Sequence, residues 1–115
     1  MKNLDHNSLY THRVHSFDIT LLEQLGVTTE FDSALVQWRC SFIHSALRLE
    51  LTYSLDTTLS TALYLDDRLI SFSYASGLEA LSVCGDEIIC QLNIRQLSRK
   101  LTINTRDLSV HWRDV

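Results

Sequence analysis

The chain has 115 residues, of which 45% are hydrophobic and 21% charged, and a formal net charge of −4 at pH 7. This length fits one domain with its own core, and the composition is typical of globular proteins rather than disordered chains. The acidic balance speaks against nucleic acid, whose binding domains are usually basic, and no apolar run approaches the roughly 18 residues of a membrane helix.

Residues 1–16 are polar and show no hydrophobic period, so we predict a flexible N-terminal arm followed by a single globular domain, residues 17–115. The arm also lacks the apolar run of a signal peptide. Asp18 is a typical helix N-cap before the segment ITLLEQLG, in which Gly26 takes the position of a C-terminal glycine. The pattern predicts a short helix ending near Leu25.

Residues 30–47 fit two conformations. A helical stripe would contain Phe31, Leu35, Trp38, Phe42 and Ala46. An alternating strand would instead bring together Val36, Trp38, Cys40 and Phe42. We favour the helix, because Thr29 and Asp32 have capping-box spacing and because the helical run is the longer one.

From Arg48 onward apolar and polar residues alternate, which is typical of strands. Turns are predicted at Asp66–Asp67, at Gly85–Asp86 and at residues 105–107. We therefore predict an α+β fold, with one or two N-terminal helices packed on an antiparallel β-meander. The alternative is an all-β sandwich or barrel with one short N-terminal helix and residues 34–43 as its first strand.

No residue set in the sequence indicates an enzyme, a cofactor or a metal site. Cys40, Cys84 and Cys90 are an odd number and include no CxxC pair, so we expect three free thiols packed as small hydrophobic groups in a reducing cytoplasm. Cys40 and His44 are four residues apart, which would suit a nucleophile and its base on a helix. No glycine-rich turn or oxyanion site accompanies either residue, so we expect no catalysis from this pair.

Positive charge gathers in the C-terminal quarter of the chain. Residues 1–90 hold five basic and twelve acidic groups, whereas residues 91–115 hold five basic and two acidic groups. The candidate partner-binding residues are Arg95, Arg99, Lys100 and Arg106. The segment fits either a short helix capped by Asn93 or strands with a turn near residues 96–98, and in both cases its charges face outward.

Leu97 and Leu101 share the opposite, core-facing side of this segment in either conformation. Five aromatic residues also lie within apolar alternations and are expected in the core: Trp38, Tyr53, Tyr64, Tyr74 and Trp112.

By elimination, the sequence predicts a non-enzymatic protein-binding module of adaptor, chaperone or inhibitor type. It would use sheet edges and the basic C-terminal surface, with an acidic protein as partner, and would pair its free edges in a homodimer. The alternative function is a small-molecule-binding domain whose pocket is lined by the same aromatic residues.

Overall fold

The computed structural model describes residues 6–114, with side chains described from residue 13 onward. This range folds into the following elements, all strand pairs being antiparallel: α1 (His6–Leu25), β1 (Glu30–Asp32), β2 (Gln37–His44), β3 (Leu47–Ser54), β4 (Leu59–Leu65), β5 (Arg68–Ala75), β6 (Leu78–Cys84), β7 (Glu87–Ile94), β8 (Leu97–Asn104) and β9 (Val110–Asp114). Strands β1 to β5 form one sheet in chain order, which we call sheet A, and β6 to β9 form sheet B. The predicted α+β class, an N-terminal helix on an antiparallel meander, is confirmed.

Helix α1 begins earlier than predicted. It starts at His6, so helical backbone occupies part of the segment assigned to a flexible arm. Val14, Phe17 and Leu21 are buried and follow one another at intervals of three and four residues, which packs one face of the helix into the core. The helix start predicted at Asp18 is wrong, because the polar residues of this segment outnumber the three buried anchors and hide their helical spacing. Asp18, the predicted N-cap, lies inside the helix.

The end of α1 agrees with the prediction. Gly26 has a φ of +67°, and its N–H donates to the carbonyl of Leu22 at 3.1 Å, which is a left-handed C-terminal cap. Among the described residues, no helix combines the length and the apolar character needed to cross a bilayer.

Asp18 connects α1 to the centre of sheet A. The Tyr53 hydroxyl on β3 donates to the Asp18 carboxylate at 2.6 Å, and the Phe17 ring meets the Tyr53 ring edge-on, with centroids 5.6 Å apart. Burial raises the pKa of Asp18, whereas the hydrogen bond from Tyr53 acts in the opposite direction. The helix also packs on β6, so it closes one side of the space between the two sheets.

The helix favoured for residues 30–47 is absent, and strands β1 and β2 occupy the segment instead. Every residue of β2 has a partner on β3, from Gln37 opposite Ser54 to His44 opposite Leu47. The capping-box spacing of Thr29 and Asp32 does not mark a helix start. The Asp32 carboxylate instead accepts hydrogen bonds from the backbone N–H groups of residues 34 and 35, which stabilises a turn. Pairing with β3 overrides the helical spacing.

The inner faces of the two sheets share one core with α1. Sheet A contributes Leu49, Leu51 and Tyr53 from β3, and sheet B contributes the alternating residues of β7 and β8. The chain passes between the sheets at Gly77, whose φ is +85° and where a Cβ would lie 2.3 Å from the Asn93 carbonyl oxygen. A glycine is needed at this crossing because a side chain there would overlap the backbone of β7.

The meander turns without proline, as the composition requires. Asp66 and Asp67 form a two-residue turn with positive φ at both positions, and Arg95 and Gln96 form another. Two-residue turns of this geometry match the right-handed twist of the flanking strands. The turns predicted at Asp66–Asp67, Gly85–Asp86 and residues 105–107 are confirmed, and the segment 91–106 adopts the strand conformation rather than the helical one.

Leu97 and Leu101 provide a matched pair for measuring burial on β8. Leu101 is fully buried, whereas Leu97 beside the turn is 70% exposed, so its predicted place in the core is wrong. We expect Leu101→Ala to lower the free energy of unfolding by about 2–5 kcal/mol and Leu97→Ala by less than about 0.5 kcal/mol. Chemical denaturation of both variants measures the difference, and equal losses would contradict the position of the turn.

Candidate functional site

The four predicted partner-binding residues do not form one surface. Arg95 lies in the turn before β8 and Arg106 in the turn after it, so the eight residues of that strand separate them. Arg99 and Lys100 are consecutive residues of β8, so their side chains leave opposite faces of sheet B.

Two of the four charges are engaged within the chain. The Arg99 Nε lies 3.1 Å from a carboxylate oxygen of Asp114, and its guanidinium stacks 4.6 Å from the centre of the Trp112 ring. Arg106 lies 3.5 Å from a carboxylate oxygen of Asp86. These contacts hold β8 against β9 and against the turn after β6.

Lys100 has a different neighbour. It stands directly opposite Arg113 of β9 on the outer face of sheet B, and neither forms an ion pair with any other described residue. Arg113 was not among the predicted residues. Arg113 follows Trp112, which packs against the core, so the Arg113 side chain lies on the outer face of the sheet. Its position beside Lys100 depends on the pairing of β9 with β8.

A second surface arises from an extra residue in β5. Next to the turn, Leu65 of β4 pairs with Arg68 of β5 and Tyr64 pairs with Leu69. Leu63 then pairs with Ser71 rather than with Ile70. Two residues of β5 therefore oppose one of β4, which is a β-bulge at Ile70.

The bulge inverts the faces of β5. With uninterrupted pairing from the turn, Phe72 would lie opposite Thr61 on the inner face of β4. In the structure Ser73 lies opposite Thr61, and Phe72 lies opposite Ala62 on the outer face. The apolar side of β5 therefore points to solvent and its serine side points inward.

The inverted register is held by a specific polar contact. Thr61 is buried, and its hydroxyl shares a hydrogen bond of 2.6 Å with the Ser73 hydroxyl. Phe72 in that position would leave the Thr61 hydroxyl without this partner inside the core, which is unfavourable.

The outward side of β5 carries several exposed apolar side chains, which we call the β5 face. Ile70, Phe72 and Tyr74 are 53%, 59% and 64% exposed, and Leu69 is similarly exposed beside them. The predicted core position of Tyr74 is therefore wrong. Burying a large apolar side chain contributes about 1.5–3 kcal/mol of stability. The isolated chain lacks this contribution from the exposed side chains of the β5 face.

The backbone of β5 adds to this surface. β5 is the last strand of sheet A, and no strand of the described residues pairs with its other side. Natural edge strands are usually protected by Lys, Pro or inward charges, whereas the residues of β5 that follow Arg68 are apolar or small. Bulges are over-represented at sheet edges and next to active sites, where they re-aim side chains, and this bulge turns the apolar residues of β5 outward.

An open cleft lies beneath β5, on the side of the core opposite α1. It has a volume of about 370 Å³ and lies between β5 and β9. Leu49, Leu63 and Trp112 form part of its apolar lining, and Ser71 and Ser73 line it from β5. Trp112 is the one aromatic residue in the lining, so the aromatic-lined pocket of the alternative prediction is not assembled here.

The candidate nucleophile does not meet a base. Cys40 is buried, whereas His44 at the end of the same strand is exposed. Burial raises the pKa of the Cys40 thiol and raises that of Cys90 to about 12, so both remain protonated and unreactive. Cys84 is exposed, which corrects its predicted place in the core. In the described part of the chain, no three His, Cys, Asp or Glu side chains are grouped so as to hold a metal ion.

Phe72 and Phe42 test the inverted register, since the first is exposed on β5 and the second is buried on β2. We expect Phe42→Ala to lower the free energy of unfolding by about 3–5 kcal/mol, and Phe72→Ala by less than about 1 kcal/mol. Denaturation curves of the two variants give these values. A large loss for Phe72→Ala would mean that its ring is in the core and that the bulge is misplaced.

No family model matches the sequence, and no curated protein sequence matches it. Among solved structures, the fold is similar to a chain of a "Contact-dependent growth inhibition toxin - immunity protein complex from Klebsiella pneumoniae 342". The TM-score is 0.74, the sequence identity is 18%, and the match covers 85% of this chain and 93% of that chain. At this identity the similarity shows a shared fold, extending over nearly the whole of both chains.

Proposed function

We propose that this chain is a non-enzymatic inhibitor of the immunity type, which binds a toxic partner protein and neutralises it. The observation that carries the proposal is the β5 face, a set of exposed apolar side chains on a strand with a free backbone edge. Exposed apolar patches of this kind mark protein interfaces, and free edges accept a strand from a partner. The fold shared with a chain of a toxin–immunity complex supports the same role.

A protein partner fits this surface better than a small ligand does. The largest exposed side chains, Phe72 and Tyr74, project outward from a sheet face instead of lining a concave pocket. Small-molecule sites usually enclose most of the ligand, whereas the cleft between β5 and β9 is partly open to solvent. A partner seated at this side of the molecule would cover both the face and the cleft.

The basic C-terminal residues have a separate part in the proposal. Arg95, Arg99, Lys100 and Arg106 are dispersed around β8, so they do not form one contact surface, and together they attract an acidic partner at long range. The three cysteines are free thiols, which suits the reducing cytoplasm in which we propose that the inhibitor acts.

The partner can be identified and tested with a variant that keeps the fold. Capture with the tagged chain in its native host should yield a stoichiometric protein that arrests growth when expressed alone. Co-expression of the wild-type chain should restore growth. The double variant Phe72→Ala/Tyr74→Ala should not, because the loss of even one aromatic hot-spot contact of about 2 kcal/mol weakens binding roughly 30-fold.

Leu97→Ala is the matched control, since it removes an equally exposed apolar side chain from sheet B. This variant should bind and protect as the wild type does. The proposal is wrong if the captured protein is harmless, or if the β5 variant protects as well as the control.

We also propose that two copies of the free chain cover the β5 face until the partner displaces one of them. Edge strands related by a two-fold axis present the same residues to each other, so a single surface is sufficient for a dimer. Sedimentation should give about twice the chain mass of 13.2 kDa for the wild type and for Leu97→Ala. The Phe72→Ala/Tyr74→Ala variant should sediment as a monomer. A monomeric wild type at tens of micromolar would remove the dimer and leave the inhibitor proposal standing.

A further inference from the structure

The outer face of sheet B carries a like-charge pair that has no carboxylate of the described residues within ion-pair distance. Lys100 and Arg113 are paired directly across β8 and β9, so their Cβ atoms are roughly 5 Å apart. Like charges in this position destabilise a sheet. Most other arginines with described side chains have a carboxylate within 4 Å or a backbone acceptor, whereas these two cations have neither.

The pair forms one wall of a shallow groove of about 520 Å³ across β7, β8 and β9. The groove is lined by Glu87, Ile89, Lys100, Thr102, His111, Trp112 and Arg113. Among the described residues that line the groove, Glu87 is the one carboxylate. It pairs with Asn104, four residues along β8 from Lys100, which corresponds to roughly 13 Å. At that separation it neutralises little of the positive charge in water with salt.

From this geometry we infer that the groove receives an acidic segment of the partner protein, with carboxylates placed between Lys100 and Arg113. The inference rests on the proposed function and names the chemistry of the partner. Charge complementarity is its basis: a paired positive site lies in a chain of net charge −4, and a carboxylate between the two cations adds two attractions that outweigh their mutual repulsion.

An acidic protein segment fits the groove better than a nucleic acid. Binding to phosphates draws on many positive contacts along a backbone, and here two cations are flanked by Glu87 in an acidic chain. Single-stranded nucleic acid would also need aromatic rings for base stacking. The Trp112 ring is covered by the guanidinium of Arg99 and packs against the core, so it is not available for stacking.

Titration of the full-length, ¹⁵N-labelled chain with octaglutamate at low salt tests the inference without the partner. The amide shifts should concentrate on β8 and β9 around Lys100 and Arg113. Neutralising both in Lys100→Gln/Arg113→Gln should weaken binding at least fivefold, and charge reversal in Lys100→Glu/Arg113→Glu should abolish it. Raising the salt concentration should weaken wild-type binding steeply, because screening acts on each exposed pair.

Arg39→Gln/Arg68→Gln is the matched control, since it removes the same net charge from exposed positions on sheet A. It should change octaglutamate binding less than twofold. Equal weakening in the control and the groove variant would show that only net charge matters, and would overturn the inference. Tighter binding of a single-stranded oligonucleotide than of octaglutamate would also overturn it, in favour of nucleic acid.

The two proposals fail in different ways. Phe72→Ala/Tyr74→Ala should bind octaglutamate as the wild type does, because the β5 face lies on sheet A. Loss of protection in that variant with unchanged octaglutamate binding supports both proposals. If the wild-type chain protects its host but does not bind octaglutamate, only the inference about the acidic segment is wrong.

Discussion

The alternation of side chains across a strand is the constraint on which the rest of this molecule depends. A strand can turn one set of residues inward, and a single extra residue exchanges the two sets. Sheet A contains one such residue, Ile70, and all of β5 beyond it follows from that position. Ser73 hydrogen-bonds to the buried Thr61 hydroxyl, and Phe72 and Tyr74 are exposed to solvent. The small serine side chains on the inner side of β5 leave a cleft next to Trp112.

The two sides of the core that lie between the edges of the sheets differ in what covers them. At one side α1 inserts Val14, Phe17 and Leu21, and the Asp18–Tyr53 hydrogen bond fixes the helix against β3. On the other side, between β5 and β9, no helix of the described part of the chain covers the core, and a cleft remains there. A chain of this size can bury enough apolar surface around the closed side to be stable. The open side can therefore be left for a partner without loss of the fold.

Charge on sheet B is arranged by the same alternation. Consecutive basic residues of β8 leave opposite faces, so Arg99 is held by Asp114 and Trp112 while Lys100 meets Arg113 across the strand pair. A segment that is uniformly basic along the chain thus becomes a structural contact on one face and a positive groove on the other. The apolar β5 face and this groove are chemically distinct, which suits recognition of one protein by two kinds of contact.

The sequence by itself determined the strands from Arg48 onward, the turn at Asp66–Asp67 and the end of α1 at Gly26, because alternation, turn chemistry and glycine conformation are local properties. Only the tertiary structure decided the rest. Residues 37–44 carry both periods, and pairing with β3 selects the strand. The bulge at Ile70 and the pairing of Lys100 with Arg113 depend on register between strands. Register is a property of two segments together, so neither segment alone contains it.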